Sequence, residues 1–275
     1  MLFYFACGIM VHECSLNTKG IKMRNEYLKN LNKIEFALTY ACTGKCKHCS
    51  QGDHELCSES IDASVAADAV RRVKELYDIR TVMTFGGEPL LRFENVEKIM
   101  IAARNANIPK RQVITNGCFS KDPSKIKEVA KGLKACGVND LLLSVDAFHA
   151  ETIPIEIVKE FAREAKACAI PMRLQPAWLV SREDENPYNL KTRELTCIFS
   201  DMEIPVGEGN IVFPEGNALK YLSEYFKNGA PINPYLEDRF DVRCLSFSPN
   251  GDVLQGNVYK NDIIEILNSY TPDQK

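Results

Sequence analysis

Three cysteines stand close together in the first fifth of a chain of 275 residues. Cys42, Cys46 and Cys49 lie within YACTGKCKHCS, spaced C-x3-C-x2-C, directly after an apolar run that predicts a β-strand. Cysteine thiolates are the usual ligands of iron–sulfur clusters, and a cubane cluster normally takes four of them. Three thiolates from one loop therefore predict a cluster with one open iron, which the amine and carboxylate of an amino acid can chelate.

Two other interpretations of these cysteines stay open. They are structural cysteines at this spacing by chance, or they form a Cys3His zinc site completed by His48. The zinc geometry is unfavourable because His48 is the neighbour of Cys49, and adjacent side chains diverge in an extended loop. We expect His48 to pack beside a cluster rather than to bind metal.

A glycine-rich segment follows the second predicted strand, where residues 85–91 read FGGEPLL. Gly86 and Gly87 allow a ligand to approach the backbone closely at the strand end. Glu88 adds a carboxylate, and Pro89 fixes the turn that follows. Without its context the segment is as easily an ordinary loop.

The fourth predicted strand ends in LLLSVDAFH. Ser144 and Asp146 share one side of this strand, because side chains alternate with a period of two. Both can hydrogen-bond the hydroxyl groups of a ligand at the carboxyl end of the strand, or they cap the next turn. His149 is interpreted as a loop residue within reach of a substrate.

Further candidates lie on or near later predicted strands. Arg173 and Gln175 share a face of the fifth strand, and polar side chains inside a barrel must be paired, so they either contact a ligand or face outward. Residues 213–218, FPEGNA, follow the sixth strand and could approach a ligand. Cys57 and Cys118 lie near strand-end loops and are either structural or donors to a radical intermediate.

The elements that must position these residues alternate along the chain. Apolar runs predict six strands, at residues 34–40, 79–85, 111–115, 138–145, 170–180 and 204–213. Helical patterns separate them, with Asp62 and Asp122 as N-caps and Gly137 as a stop. Such alternation predicts parallel strands joined by right-handed crossovers. Six units predict an α/β fold, a partial (β/α)6 TIM-like barrel, with its chemistry at the carboxyl ends of the strands.

The segment CTGKCKHC resembles the signature loop of the radical S-adenosylmethionine (radical SAM) superfamily, and the resemblance covers roughly residues 33–215. It implies a [4Fe-4S] cluster on Cys42, Cys46 and Cys49, with S-adenosylmethionine as cosubstrate. In this superfamily the reduced cluster passes an electron to the sulfonium, and a 5′-deoxyadenosyl radical takes a hydrogen atom from the substrate. The protein positions these cofactors and excludes water.

The resemblance also implies roles for single residues. The amino group of the cosubstrate's methionine is held by the glycine-rich segment, at Gly86, Gly87, Glu88 and Pro89. The ribose is contacted by Ser144 and Asp146. We therefore expect a β-branched side chain at Gly87 to fill the methionine site.

The chain divides into an N-terminal extension (1–32), the barrel (33–227) and a C-terminal appendage (228–275). Residues 244–267 predict a small β-hairpin with its turn at Asn250 and Gly251. This segment resembles a shortened SPASM/twitch domain, the auxiliary-cluster domain of a subfamily that modifies peptides and proteins. Gly256 stands where that domain has its second cysteine, so we do not expect an auxiliary cluster.

Composition sets limits on partners and location. A formal net charge of -3 argues against nucleic acid or an anionic membrane as an obligatory partner. Eleven cysteines without a convincing secretory signal predict a reducing, cytoplasmic location rather than a disulfide framework. The apolar start, MLFYFACGIMV, has only about half the length of a membrane span. It is an ordered extension or lies upstream of a start at Met23.

Three hypotheses for function follow. The first is a radical SAM enzyme that acts on a peptide or protein side chain, and the second is one that acts on a small-molecule cofactor precursor. The third is a non-catalytic iron–sulfur protein for electron transfer or scaffolding. Either enzyme needs a reductase, a ferredoxin or a flavodoxin as its electron donor.

Overall fold

The centre of the protein is a sheet of six parallel strands, seen in a computed structural model that describes residues 25–53, 59–227 and 229–272. The strands of this sheet are β1 (Lys33–Ala37), β2 (Thr81–Phe85), β3 (Lys110–Thr115), β4 (Asp140–Leu143), β5 (Met172–Leu174) and β8 (Cys244–Phe247). Their order across the sheet is β5-β4-β3-β2-β1-β8. The expected α/β partial barrel is confirmed.

Helices connect the strands and cover one face of the sheet. The α-helices are α1 (Ala63–Leu76), α2 (Phe93–Asn105), α3 (Pro123–Cys136), α4 (Ala147–Ala150), α5 (Ile155–Ala167), α6 (Pro187–Cys197), α7 (Gly216–Tyr221) and α8 (Ile263–Ser269). Asp62 caps α1 by accepting two backbone N–H bonds, and Asp122 caps α3 directly before Pro123. Gly137 ends α3 in the left-handed conformation, as its sequence position predicts.

The alternation of side chains gives the sheet two different faces. Apolar residues such as Ile34, Phe36 and Leu141 are fully buried in one core cluster with residues of the covering helices. The residues between them carry charge or polar groups: Lys33, Glu35, Thr81, Lys110, Gln112, Asp140 and Arg173. This second face lines the inside of the partial barrel.

The fifth and sixth predicted strands are interrupted in the structure. The fifth becomes β5 and a second short strand, β6 (Ala177–Trp178), with Pro176 between them, which lacks a backbone donor. The sixth makes one bridge from Val206 to Leu174 and then forms β7 (Asn210–Ile211), which pairs parallel to β6. The barrel therefore continues beyond β5 as short, staggered strands.

The pairing predicted for the C-terminal hairpin is wrong. Residues Cys244–Phe247 lie parallel to β1 at the edge of the main sheet, where Phe247 stacks on Phe36 with ring centroids 4.8 Å apart. An edge strand exposes unpaired backbone groups, and this pairing covers those of β1. The hairpin consists of β9 (Asp252–Val253) and β10 (Gly256–Asn257). Among the described residues, no helix is long and apolar enough to cross a membrane.

Candidate active site

The cysteine loop follows β1 at the carboxyl end of the sheet. Cys46 is buried, Cys42 and Cys49 are half-buried, and all three are free thiols. A side chain at Gly44 would lie 3.1 Å from Ile153 and 3.3 Å from the Cys46 Sγ, so glycine lets the loop turn tightly here. Burial raises the pKa of Cys46, and negative charge on Asp146, Cys42 or Cys49 raises it further.

Backbone and side-chain donors already point at two of these sulfur atoms. The Gly44 N–H donates to the Cys42 Sγ at 3.3 Å, and the Asn116 amide donates to it at 3.7 Å. Backbone N–H groups beyond Cys49 lower the pKa of that thiol, against the larger effect of burial. Burial raises the pKa of Cys42 to about 11 and raises the pKa of Cys46 as well. Buried thiols ionise when a metal binds, so the loop suits an iron–sulfur cluster.

The glycine-rich segment packs against the backbone of the cysteine loop. The Gly87 N–H donates to the Thr39 carbonyl at 2.7 Å, and the Glu88 N–H donates to the Ala41 carbonyl at 2.8 Å. Gly86 has φ +130°, and a Cβ there would lie 2.6 Å from the Thr39 oxygen. A Cβ at Gly87 would lie 2.1 Å from the Ala41 oxygen. Bulk at Gly87 would therefore displace the cysteine loop, and the contact of Gly87 with a methionine site stays a prediction.

Glu88 joins the ends of β2 and β3. Its side chain is fully buried, and one oxygen accepts the Leu90 N–H at 2.9 Å and the Thr115 hydroxyl at 2.7 Å. The other oxygen accepts the Asn116 N–H at 2.8 Å. Burial raises the pKa of Glu88 to about 7 although these hydrogen bonds lower it. Pro89 begins the short 3-10 helix that follows.

The residues after β4 form a cap rather than a simple strand end. Asp146 caps α4, accepts the His149 N–H at 2.9 Å and lies 2.8 Å from the His149 Nδ1. Its second oxygen also accepts the Ala177 N–H at 3.1 Å, and interaction with His149 holds its pKa near 2 against burial. Ser144 is half-buried, and its hydroxyl has no partner among the residues described, which leaves it available to a ligand. The ribose contacts of both residues stay predictions.

The structure brings His48 next to Cys46 and His149, a grouping that the sequence did not reveal. The Cys46 sulfur and one ring nitrogen from each histidine lie within 4.8 Å of one another. The His48 ring contacts Phe148 at 4.8 Å and His149 at 5.0 Å between centroids. Burial lowers the pKa of His48 to about 4, so the ring is neutral.

A second anchor of the cysteine loop comes from the segment FPEGNA. The Asn217 N–H donates to the Cys49 carbonyl at 2.8 Å, and the Asn217 amide donates to the Cys46 carbonyl at 3.2 Å. A Cβ at Gly216 would lie 2.4 Å from the Ser50 oxygen. The sequence did not identify Asn116 as a site residue, and it indicated Asn217 only as part of a segment that could approach a ligand. The Asn-Gly turn directly after β3 was the signal for Asn116.

Arg173 and Gln175 both interact inside the barrel. Arg173 forms an ion pair with Asp140, which also lies 2.9 Å from the Lys110 amine. The Gln175 amide donates to the Asn210 side chain at 3.3 Å. Cys118 is buried in the loop after β3, whereas Cys57 lies outside the described residues.

Comparisons with known proteins agree with this geometry. Residues 36–171 match the model of the radical SAM superfamily. A protein of Saccharolobus islandicus (strain Y.N.15.51) named "Probable GTP 3',8-cyclase" is 28% identical over 223 residues, which cover 74% of this chain and 68% of the relative. One of the same name from Sulfolobus acidocaldarius is 29% identical over 174 residues, 59% of this chain and 51% of the relative.

Solved structures share the fold at low sequence identity. The structure of anSMEcpe with bound AdoMet has a TM-score of 0.57 at 16% identity, and the match covers 88% of this chain and 81% of that one. Streptococcus suis SuiB bound to S-adenosylmethionine has a TM-score of 0.52 at 15% identity, covering 88% of this chain and 66% of SuiB. Residues 36–171, which match the superfamily model, contain the three cysteines, the glycine-rich segment and the end of β4. Residues 36–171 therefore carry the domain of the radical SAM superfamily, whose enzymes use a [4Fe-4S] cluster and S-adenosylmethionine as cofactors.

Proposed function

We propose that this chain holds the cluster on its three loop cysteines and generates a radical that reacts with a small polar molecule inside the barrel. The cluster ligands are Cys42, Cys46 and Cys49, and the cosubstrate contacts are Gly86, Gly87, Glu88, Pro89, Ser144 and Asp146. The observation that carries the proposal is the presence of three free thiols on one loop, which the segments after β2 and β3 hold in place.

The cluster and S-adenosylmethionine, when bound, supply a 5′-deoxyadenosyl radical by reductive cleavage. The chain's own residues bind and orient. Glu88 fixes the spacing between the glycine-rich segment and Asn116, and Asn116 donates to Cys42. The free hydroxyl of Ser144 offers a donor and an acceptor beside them. The buried surroundings exclude water, which strengthens the polar contacts inside the site and limits side reactions.

The inner face of the barrel favours a small, anionic substrate. Lys110 and Arg173 both pair with the single carboxylate of Asp140, and the Gln112 amide donates to it at 2.7 Å. Two cations against one carboxylate leave positive charge facing the barrel, which suits a phosphate or a carboxylate. The relatives named "Probable GTP 3',8-cyclase" support a small-molecule substrate of this class.

A peptide or protein substrate has less support. That hypothesis rested on a C-terminal auxiliary domain, but Cys244–Phe247 extends the barrel sheet and Gly256 packs closely against Ile266. We therefore propose the small molecule as substrate and keep the peptide as an outcome of the test. One-electron reduction of the cluster requires a reductase, ferredoxin or flavodoxin, and such donors with free thiols fit a cytoplasmic enzyme.

The first experiment tests the reaction class. The protein is reconstituted anaerobically with iron and sulfide, then mixed with dithionite and S-adenosylmethionine, and 5′-deoxyadenosine is measured by mass spectrometry. We expect the product in the wild type and in Cys197→Ala, which changes an exposed thiol at the end of α6, and none in Cys46→Ala. Equal product from Cys46→Ala would contradict the ligand assignment.

The second experiment tests the substrate class. Nucleoside triphosphates, nucleoside monophosphates and a pool of peptides are each added to the same assay. We expect a phosphate-bearing small molecule to increase 5′-deoxyadenosine formation, and Arg173→Gln to raise its KM about tenfold or more, since a charge-assisted bond is worth about 1.5–3 kcal/mol. Stimulation by peptides alone would overturn this choice of substrate.

A further inference from the structure

The three thiols of the cysteine loop have different polar surroundings. Cys42 receives two donors, and Cys49 receives backbone N–H groups. Cys46 is the most buried, at 7% exposure, and its Sγ has no hydrogen bond within the described part of the chain. A buried thiolate without a donor is costly, so a cluster-bound Cys46 needs an N–H group.

Two histidines lie beside Cys46. One ring nitrogen each of His48 and His149 and the Cys46 sulfur lie within 4.8 Å of one another. The Nδ1 of His48 is buried and has no hydrogen-bond partner among the described residues. An unpaired buried polar atom of this kind marks a place where a bound group completes the site.

The second histidine is held rigidly. His149 Nδ1 lies 2.8 and 2.9 Å from the two oxygens of Asp146, and the same carboxylate accepts the backbone N–H groups of His149 and Ala177. Asp146 therefore fixes the ring to two separate elements. The His48 ring is confined in turn between the rings of Phe148 and His149.

We propose that His48 donates an imidazole N–H hydrogen bond to the Cys46 thiolate and thereby raises the reduction potential of the cluster, and that His149, whose Nδ1 is bound to Asp146, positions the His48 ring. Hydrogen bonds to the sulfur atoms are one of the factors that set the potential of iron–sulfur clusters. The direction follows because the donor stabilises the extra negative charge of the reduced cluster. The proposal rests on the cluster assignment made under Proposed function.

The test measures potential rather than turnover. His48→Phe, His149→Leu and Asp146→Asn are reconstituted without S-adenosylmethionine, and the midpoint potential is measured by redox titration alongside iron and sulfide content. We expect each histidine variant to lower the ratio of reduced to oxidised cluster about tenfold at a fixed potential, which is 59 mV for one electron. Asp146→Asn should shift the potential in the same direction. Phe148→Leu is the control, because it removes ring packing against His48 but no nitrogen.

Unchanged potentials in both histidine variants with intact clusters would overturn the proposal, and so would a shift of equal size in Phe148→Leu. A second measurement needs no variant. Pulsed electron paramagnetic resonance of reduced wild-type protein labelled with 15N-histidine should show a weak coupling through a hydrogen bond. Absence of coupling, or the strong coupling of a direct iron–nitrogen bond, would refute it. Absence of any cluster or 5′-deoxyadenosine would instead refute the proposed function.

Discussion

Replacing Gly87 with alanine tests the contact between the glycine-rich segment and the cysteine loop. The new Cβ would lie 2.1 Å from the Ala41 oxygen and 2.7 Å from the Tyr40 oxygen. The backbone oxygens cannot avoid the new Cβ by a change of rotamer, so the cysteine loop must move away by roughly 1 Å. The displaced residue directly precedes Cys42, and the hydrogen bond from the Glu88 N–H to Ala41 is lost.

The expected cost follows from these two changes. Overpacking costs about 1–3 kcal/mol and a lost hydrogen bond about 1 kcal/mol, so the free energy of unfolding falls by about 2–4 kcal/mol. For a chain of this size the melting temperature of the apo protein drops by roughly 5–15 °C. Because Cys42 moves with the loop, the variant should also bind less iron on reconstitution.

Circular dichroism melting of the apo protein and iron analysis after reconstitution measure both effects. The matched control is Gly52→Ala, in which the new Cβ has no heavy atom within 4 Å but takes up a left-handed backbone at φ +81°. This control should cost only about 1–2 kcal/mol and retain its iron. If Gly87→Ala melts and binds iron as the wild type does, the packing argument fails. If Gly87→Ala keeps a full cluster but binds the cosubstrate more weakly, the result would support the placement of Gly87 in the methionine site.

Three other predictions concern single contacts. Burial raises the pKa of Glu88 from 4.5 to about 7, so its side chain in the folded protein stays protonated at pH values where the unfolded chain ionises. The free energy of unfolding should therefore fall by about 3 kcal/mol as the pH rises from about 5 to 7. Urea titrations at several pH values should show this fall in the wild type and a flatter profile in Glu88→Gln. Arg72→Ala breaks the ion pair between α1 and the cap of α8 at Asp262. Because solvent and salt screen a surface pair, urea titrations should show only a small loss in the free energy of unfolding, and a smaller one in high salt. Asn116→Ala removes a donor to Cys42 and should lower the cluster's potential while keeping its iron, and an unchanged titration would contradict the hydrogen bond.

Local signals in the sequence identified much of the fold. Caps at Asp62 and Asp122 and the stop at Gly137 act through neighbouring residues, so the sequence alone predicted them correctly. The C-terminal strand was misassigned because its partner is β1, some 210 residues away in sequence, and an adjacent turn signal at Asn250 suggested a nearer partner. Pairing over such a distance leaves no local pattern.

For the candidate site, too, the sequence predicted the local features and missed the contacts between distant segments. The cysteines share one loop and were visible as a motif, but their donors come from elsewhere in the chain: Asn116 follows β3, and His149 follows β4. The hydrogen bond from Ala177 to Asp146 spans 31 residues, so only the fold reveals this second contact of Asp146. Polar side chains that satisfy one another across loops have no periodic spacing, so sequence patterns cannot assign them.

The arrangement of these contacts explains why a cysteine motif alone does not make a cluster site. The loop carrying Cys42, Cys46 and Cys49 has no regular secondary structure, so its conformation depends on bonds from other elements. The glycine-rich segment after β2 donates hydrogen bonds to backbone carbonyls at the start of the loop. Asn116 after β3 donates to the Cys42 sulfur, and Asn217 at the start of α7 donates to the carbonyls of the other two cysteines. Each anchor sits at the carboxyl end of the barrel, where parallel strands bring distant segments together. Closure of the barrel and formation of the cysteine site should therefore occur together.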